Sequence, residues 1–421
     1  CHLFYPLYSF LTSSSSSNSH HSRRGRRPGL VIDWHNLGYT MFDFKPSHPI
    51  RKFAYFYEKF MSPLADGHFC VTTAMKQWLF QNFLSNKYKT VKEEKINISV
   101  LHDKPPEFFC PTNVDMQHDL MVRLKPEFKA GIPSCGSNAL HSWFDDDADL
   151  LTDSVQTTLF TTSTKMKGVV DDSTNKGDNM PENKIKLRGD RPALVISSTS
   201  WTPDEDFGLL LDALVTLDGK AKQSLTTAAV AASFSHIVVI VTGKGPQKLF
   251  YQEKIKSLHL THISIFTMWL TPSDYPKLLG CADLGISLHT STSGIDLPMK
   301  VLDMFGCEVP VCAKKFDCLE ELVVDGVNGR VFDTSDQLAD QMFQLLLSQN
   351  GGISSSNENV SKSEMNNSEK ISMLECYRKN IHGMARWREN WNECAKQVIW
   401  TAASTPLSVD TTKDEESDKK E

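Results

Sequence analysis

An α/β fold built on parallel sheets flanked by helices is the class this sequence predicts, and three observations carry it. Short apolar runs alternate with helix-like stretches from Arg191 almost to residue 348. Several of those runs close on small, polar or glycine-containing turns, as in IVVIVTGKGP and LGISLHTSTSG. Such turns at strand ends are where a doubly wound sheet presents a ligand site. The third observation is length, since 421 residues leave room for two or three domains.

The bulk numbers narrow the functional classes. The chain is 40% hydrophobic and 23% charged, an ordinary globular balance, and its net charge of -6 argues against nucleic acid as a main partner. Its ten cysteines form no Cys-x-x-Cys pair. Cys307, Cys312 and Cys318 lie close together, but no histidine follows at finger spacing, which argues against zinc. Scattered free thiols fit a reducing compartment, so the sequons at Asn97 and Asn359 read as chance matches. No run reaches the roughly 18 apolar residues of a membrane span. The chain opens at Cys1 with no methionine, and the expectation is a fragment whose N-terminus lies upstream.

Residues 1–29 are a low-complexity leader: an apolar dozen, then a serine-rich basic tract. Residues 30–110 read as part of a first Rossmann-like domain. A strand from Leu30 to Ile32 ends in Asp33, Trp34, His35 and Asn36. Polar residues at such a strand end serve chemistry, or Asp33 caps the next helix and His35 is a surface residue. Residues 48–62 form an amphipathic helix on which Phe53, Phe56, Tyr57 and Phe60 share a stripe. Such a stripe is usually core, though a ligand with a lipid tail would also suit it. Residues 68–83 read as a strand entering a helix capped by Thr72 or Thr73, and 96–109 as a strand stopped by Pro105 and Pro106. From 111 to 190 the pattern dissolves into acidic and polar residues, predicting an insertion or linker.

The second domain spans 191–348. Its first strand (191–201) ends in Ser197, Ser198, Thr199 and Ser200, and a helix follows. The strand of 236–246 closes on Gly243, Lys244, Gly245 and Pro246, a turn that admits close backbone approach and adds charge, though alone it is a weak signal. A strand over 262–270 leads to Trp269. Next come a strand (284–288), a loop (290–296), a helix opened by Pro298, a strand (309–312) and a last helix (335–348). Loop residues Thr290, Ser291, Thr292, Ser293 and Gly294 are short, and the first helical turn offers unpaired N–H groups to an anion. Lys300 sits one turn in, positioned to neutralise a diphosphate. Asp296, Lys300 and Asp303 have the spacing of one helix face; carboxylates beside phosphate suit hydroxyl donors such as those of sugar and ribose. The plain alternative is a capped surface helix with a charge pair. Residues 349–370 read as a low-complexity linker, 371–402 as a helix carrying Trp387, Trp391 and Trp400, and 403–421 as a disordered charged tail.

Together, LVIDWHNLGYT, SSTSWTPDEDF, VTGKGP, DYPKLLGCADLGISLHTSTSGIDLPMKVLDMFGCEVPVCA and ELVVDGVNGRVF resemble the chitobiosyldiphosphodolichol β-mannosyltransferase family. The resemblance runs from about Leu30 to Trp391, interrupted at 110–190 and 349–370. It implies a GT-B fold, with two Rossmann-like parallel-sheet domains facing a cleft and the N-terminal one truncated. It implies an inverting mannosyltransferase that adds the first β-linked mannose from GDP-mannose to a GlcNAc2-diphosphate-dolichol acceptor. It further implies the cytosolic face of the endoplasmic reticulum membrane, with the family's anchor missing from this chain, and it admits other enzymes of the same pathway as partners. On this resemblance the donor site comprises Ser198, Ser200, Gly243, Lys244, Gly245, Trp269, Ser293, Gly294, Asp296, Lys300 and Asp303. Lys300, the helix N-terminus after Gly294 and the Gly243–Gly245 turn would face the leaving diphosphate. Asp303 would take the ribose diol, Asp296 the mannose and Trp269 the guanine. Asp33 and His35 are the candidate bases; histidine works near neutral pH without a shift, whereas aspartate needs a raised pKa or strong positioning. No cofactor is specified, no acidic pair shows metal geometry, and a divalent cation stays open. Two other classes compete: a dehydrogenase, for which the G-x-G-x-x-G fingerprint is lacking, and a silent or truncated relative that binds GDP-mannose without transfer.

Overall fold

Strands covered on both faces need apolar residues at nearly every position, and the chain supplies them in the runs Ala193–Ser198 and Ile237–Thr242 of the larger of two parallel sheets. The computed structural model describes residues 29–42, 44–85, 96–136, 140, 157–165, 183–226, 236–291, 293–347 and 372–404. The chain divides into two units, residues 1–102 with 387–421, and residues 103–386.

In the first unit β1 (Val31–Trp34), β2 (Gly67–Cys70) and β3 (Ile98–Val100) pair in parallel in that order. The central β2 is buried along its whole length. Phe69 and Leu101 pack with Ala395 and Val398, so the helix Lys396–Ser404 belongs to this sheet. Asn97 ties the two together, its Nδ2 donating to the carbonyls of Asp66 (2.9 Å) and Val398 (3.1 Å). The single helix predicted over 371–402 is therefore divided. It stops at the Gly383 cap, and Met373–His382 falls in the other unit from Trp387–Asn390 and Lys396–Ser404.

Helix α1 (Pro49–Met61) starts where His48 Nδ1 accepts the Ile50 N–H, with Pro49 preset for the first turn. Its aromatic stripe, expected in the core, lies outside. Phe53, Phe56 and Phe60 are 72%, 64% and 72% exposed, and no residue of α1 is buried. Periodicity shows that a helix has an apolar face without showing what covers it. The opposite face packs instead, Tyr55 standing edge-on to Tyr39 (5.2 Å) and Phe83 (5.5 Å). Glu58 turns the same way and accepts from the backbone N–H groups of Gly38 and Tyr39; burial still pushes its carboxyl up to about 7. Of the two cap candidates for α2 (Thr73–Leu79), it is Thr72 whose Oγ1 accepts from Met75 N at 2.9 Å.

The second unit opens with α3 (Val114–Arg123) and α4 (Lys125–Gly131), where the composition predicts an insertion or linker. Leu120, Met121, Leu124 and Phe128 recur at helical spacing and join the core; the acidic tract downstream masked that period. β4 (Thr161–Lys165) and β5 (Asn183–Leu187) add an antiparallel pair, while 141–156 and 166–182 lie outside the described residues, as do 1–28, 348–371 and 405–421.

Six parallel strands form the main sheet: β6 (Ala193–Ser198), β7 (Ile237–Thr242), β8 (Ile263–Met268), β9 (Leu284–Ser287), β10 (Val311–Lys314) and β11 (Gly329–Phe332). β10 begins two residues later than the predicted 309, after Pro310, which has no N–H for a ladder. The spatial order is β11-β10-β9-β6-β7-β8. Leu194, Ile196, Val238 and Ile240 face one core, and Ala193, Val195, Ile237 and Val239 the other. Helices α5 (Phe207–Thr226), α6 (Lys248–Lys256), α7 (Tyr275–Leu279), α8 (Met299–Gly306), α9 (Ser335–Met342) and α10 (Met373–His382) connect or cover the strands. The order reverses between β6 and β9, so the loops leaving their carboxyl ends diverge there and open a crevice.

The raised Glu58 pKa has a defined consequence. The folded chain holds a proton there that the unfolded chain has released, so this group's contribution to stability is full below about 4.5 and lost as pH rises through about 7. Glu58→Gln is expected to flatten the fall in stability across that window, read as urea midpoints at successive pH values.

Candidate functional site

The loops after β6 and β9 meet through one carboxylate. Glu205, in the loop after β6, is buried to 2% exposure. Its Oε2 accepts from Thr199 Oγ1 and from Ser200 N, both at 2.6 Å. Its Oε1 pairs with Lys300 Nζ and lies 3.8 Å from His289 Nδ1. Burial pushes this carboxyl up, but the neighbouring His289, Lys300 and Thr199 outweigh it and hold the group far below the usual carboxylate range. A second tie runs from Thr290 Oγ1 to the Asp204 carbonyl at 3.3 Å. Lys300 is thus not the isolated surface cation that its position in α8 suggests.

The α8 N-terminus is as predicted in outline. Pro298 is the N-cap and supplies no side-chain cap, while the Val301 N–H turns back to the Pro298 carbonyl at 3.0 Å. Asp296 does not share the helix face with Lys300 and Asp303, because it precedes the helix. Its Oδ1 accepts from the hydroxyls of Ser291 and Ser293, which close the loop on itself. Ser291 Oγ also accepts from Gly294 N at 2.8 Å, and Gly294 takes a φ of 76°, which glycine tolerates best. Thr292 lies outside the described residues.

Asp303 lies one turn along α8 from Lys300, and burial pushes its carboxyl up to about 7. Tyr275 is raised to about 12, mostly by burial, with the Asp303 charge adding to the shift. The Tyr275 hydroxyl meets Ser198 Oγ at 2.9 Å, and Thr242 Oγ1 donates to the same Ser198 oxygen at 3.2 Å. Ser200 Oγ is engaged with Thr202 Oγ1 at 2.8 Å. Ser198 and Ser200 therefore build the strand-end structure as well as lining it.

The turn after β7 is governed by packing. A Cβ on Gly243 would overlap the Thr199 carbonyl oxygen, and one on Gly245 the Ser200 carbonyl oxygen. Lys244 places its ammonium 3.9 Å from the Trp269 ring centroid, and Trp269 is 60% exposed. A base stacked on that same ring face has to displace the lysine. Lys248, in the first turn of α6, reaches the Gly243 carbonyl at 3.5 Å; burial and then Lys244 lower its pKa.

Glu205, His289, Tyr275 and Lys248 escaped the sequence reading. Lys248 had a local signal, a second lysine four residues after Lys244; the others are defined by partners far along the chain. Asp33 and His35 are in the other unit, with His35 Nε2 3.0 Å from Asp33 Oδ2 and both about half exposed. Among the described residues no group of three or more histidines, cysteines and carboxylates is arranged to hold a metal ion.

Removing the lysine from the Glu205 pair leaves a buried charge with fewer donors. Lys300→Met is expected to lower stability by about 1.5–3 kcal/mol. In the Glu205→Gln/Lys300→Met double variant the loss should be smaller than the sum of the singles, which a double-mutant cycle from urea unfolding measures.

The model of group 1 glycosyl transferases matches residues 180–363. UDP-glycosyltransferase TURAN of Arabidopsis thaliana is 36% identical over 387 residues, spanning 90% of this chain and 72% of that protein. The human chitobiosyldiphosphodolichol beta-mannosyltransferase is 38% identical over 379 residues, 88% of this chain and 67% of that protein. The mouse protein of the same name is 37% identical over 381 residues, 90% and 66% of the two chains. This chain thus spans about two thirds of the length of these mammalian relatives. With that identity over both units, and with group 1 glycosyltransferase sequence across the six-stranded sheet, the chain belongs to the chitobiosyldiphosphodolichol β-mannosyltransferase family.

Proposed function

We propose that this protein is an inverting mannosyltransferase that transfers mannose from GDP-mannose to a GlcNAc2-diphosphate-dolichol acceptor, at the cytosolic face of the endoplasmic reticulum membrane. The observation that carries the reading is 38% identity over 88% of the chain to a human protein whose name specifies that acceptor and a β-mannosyl product. The crevice at the reversal of strand order supports a nucleotide-sugar site there.

Converting an α-linked donor to a β-linked product calls for one in-line displacement. An acceptor hydroxyl oxygen forms the new bond to the anomeric carbon as the bond to the diphosphate breaks. The electron pair leaves with GDP, and the hydroxyl proton passes to a base. In this reading the first turn of α8 and Lys300 receive the growing charge on the diphosphate, with Lys244 and Lys248 contributing from the β7–α6 turn. Asp303 accepts from the ribose diol and Asp296 from the sugar, while Trp269 meets the base. Glu205 positions Lys300. Asp33 and His35 are proposed for the proton: replacing the true base should lower kcat by about 100-fold or more with donor binding unchanged.

The name of the Arabidopsis relative favours a second donor, a UDP-sugar. Calorimetric titration separates the two. GDP and GDP-mannose should bind, with UDP and ADP much weaker; preference for UDP overturns the donor assignment. Turnover with a phytanyl-linked GlcNAc2 diphosphate and GDP-mannose tests the acceptor.

Two further outcomes are expected. If the ribose binds ionised Asp303, GDP-mannose affinity rises as pH passes upward through about 7, and Asp303→Asn abolishes that rise. Lys300→Met should lose activity beyond what its stability loss explains, with Lys300→Arg restoring part of it, since a planar fork does not reproduce a point charge. Near-wild-type kcat in the stably folded Met variant would exclude Lys300 from leaving-group stabilisation.

A further inference from the structure

Helix α1 exposes the side that amphipathic helices normally hide. Ile50, Phe53, Phe56, Tyr57, Phe60 and the following Leu64 recur at helical spacing and are between 42% and 72% exposed. The three phenylalanines alone leave on the order of 400 Å² of apolar surface in water, as large as the largest patch on an ordinary soluble monomer. The preceding loop extends the feature. Phe42 and Phe44 are 40% and 41% exposed and stack on each other at 6.2 Å. Phe44 also stacks on His48, the α1 N-cap, at 4.1 Å, and Arg51 Nη1 donates to the Phe44 carbonyl at 2.9 Å. The loop is therefore pinned to the helix.

Charge selects the occupant. Lys52 and Lys59 stand seven residues apart along one edge of the stripe, and Lys45 is exposed in the loop. The one acidic residue of α1, Glu58, turns inward to Gly38 and Tyr39 and puts no carboxylate on that edge. A bulky aromatic face bordered by lysines, on a helix of 13 residues, is too short to span a bilayer but suits its surface.

We propose that this face is a lipid-docking surface: α1 lies in the plane of an anionic membrane, with Phe53, Phe56 and Phe60 in the headgroup–acyl boundary and Lys52 and Lys59 at the lipid phosphates. This deepens the membrane location proposed above and uses residues of the first unit only. Docking through α1 would hold that unit at the surface where a polyprenyl-linked substrate resides.

The test is co-sedimentation of the full 421-residue chain with vesicles of phosphatidylcholine, alone or mixed with phosphatidylinositol. Wild type should partition to the mixed vesicles more strongly, and added salt should weaken that preference. Phe53→Ser/Phe56→Ser/Phe60→Ser should reduce partitioning about tenfold or more on both vesicles. Lys52→Glu/Lys59→Glu should remove the preference for the anionic lipid. Melting and GDP-mannose titration of each variant verify the fold and read donor binding separately, so loss of docking and failure of the donor assignment are distinguishable. Equal partitioning of wild type and the triple phenylalanine variant overturns the proposal. So does light scattering that shows a wild-type dimer, lost in the triple variant, in place of vesicle binding, since the face then belongs to a second copy of the chain.

Discussion

A carboxylate withdrawn from water must be matched by donors, and Glu205 imposes that condition on everything around it. Its donors come from Thr199 and Ser200 beside it and from Lys300 across the reversal of strand order, with His289 3.8 Å away. Satisfying it fixes the loop after β6 against the loop after β9. The same loop carries Trp201, fully buried at a φ of 51°, a left-handed conformation that a bulky residue keeps only when its surroundings enforce it. The turn after β7 must then pass against the carbonyls of Thr199 and Ser200, which is why glycine stands at 243 and 245. The three loops of the crevice form one linked structure, and a change in any of them is felt in the others.

That linkage separates what is legible in the sequence from what is not. Five of the six strands of the main sheet are legible because burial on both faces writes them as largely apolar runs, and the turns between them carry glycine and hydroxyl residues; the edge strand β11, with Arg330 in its middle and two positions only partly buried, carries no such run. The α8 entrance is legible from Gly294, Pro298 and the serines. Glu205 is hidden, although it sits in the stretch SSTSWTPDEDF, because its lysine is 95 positions away and nothing local shows that the two loops are neighbours. His289 is hidden for the same reason. Asp296 illustrates the converse error, in which helical spacing assigns a face to a residue that the Pro298 cap leaves outside the helix.

The first unit shows a different limit. Stripe periodicity finds α1 correctly, yet the direction of the stripe depends on which face neighbouring elements cover. Tyr39 and Phe83 pack against Tyr55, opposite the phenylalanines, and no local propensity encodes that choice. The α3–α4 segment fails by averaging: a helical period of four apolar residues is diluted by the acidic tract that follows it.

Each lysine of the proposed anion site already has a partner of its own. Lys244 rests over an indole, Lys248 reaches toward a carbonyl, and Lys300 is held by Glu205. The first two partners are neutral, so in the proposed mechanism a diphosphate displaces them at small cost. Lys300 is the harder case, since turning it toward phosphate withdraws a cation from a buried carboxylate. Glu205 nevertheless keeps the Thr199 hydroxyl and the Ser200 N–H at 2.6 Å, with His289 nearby. Oε2 keeps both of its donors when the lysine is shared, while Oε1 retains only His289 at 3.8 Å, so the sharing carries a cost that the anion has to offset. In the proposed mechanism the pair holds Lys300 in a fixed orientation from which it shares its charge with the diphosphate. Preorganisation of this kind spares the reorganisation that a freely rotating surface lysine would require at the moment of reaction.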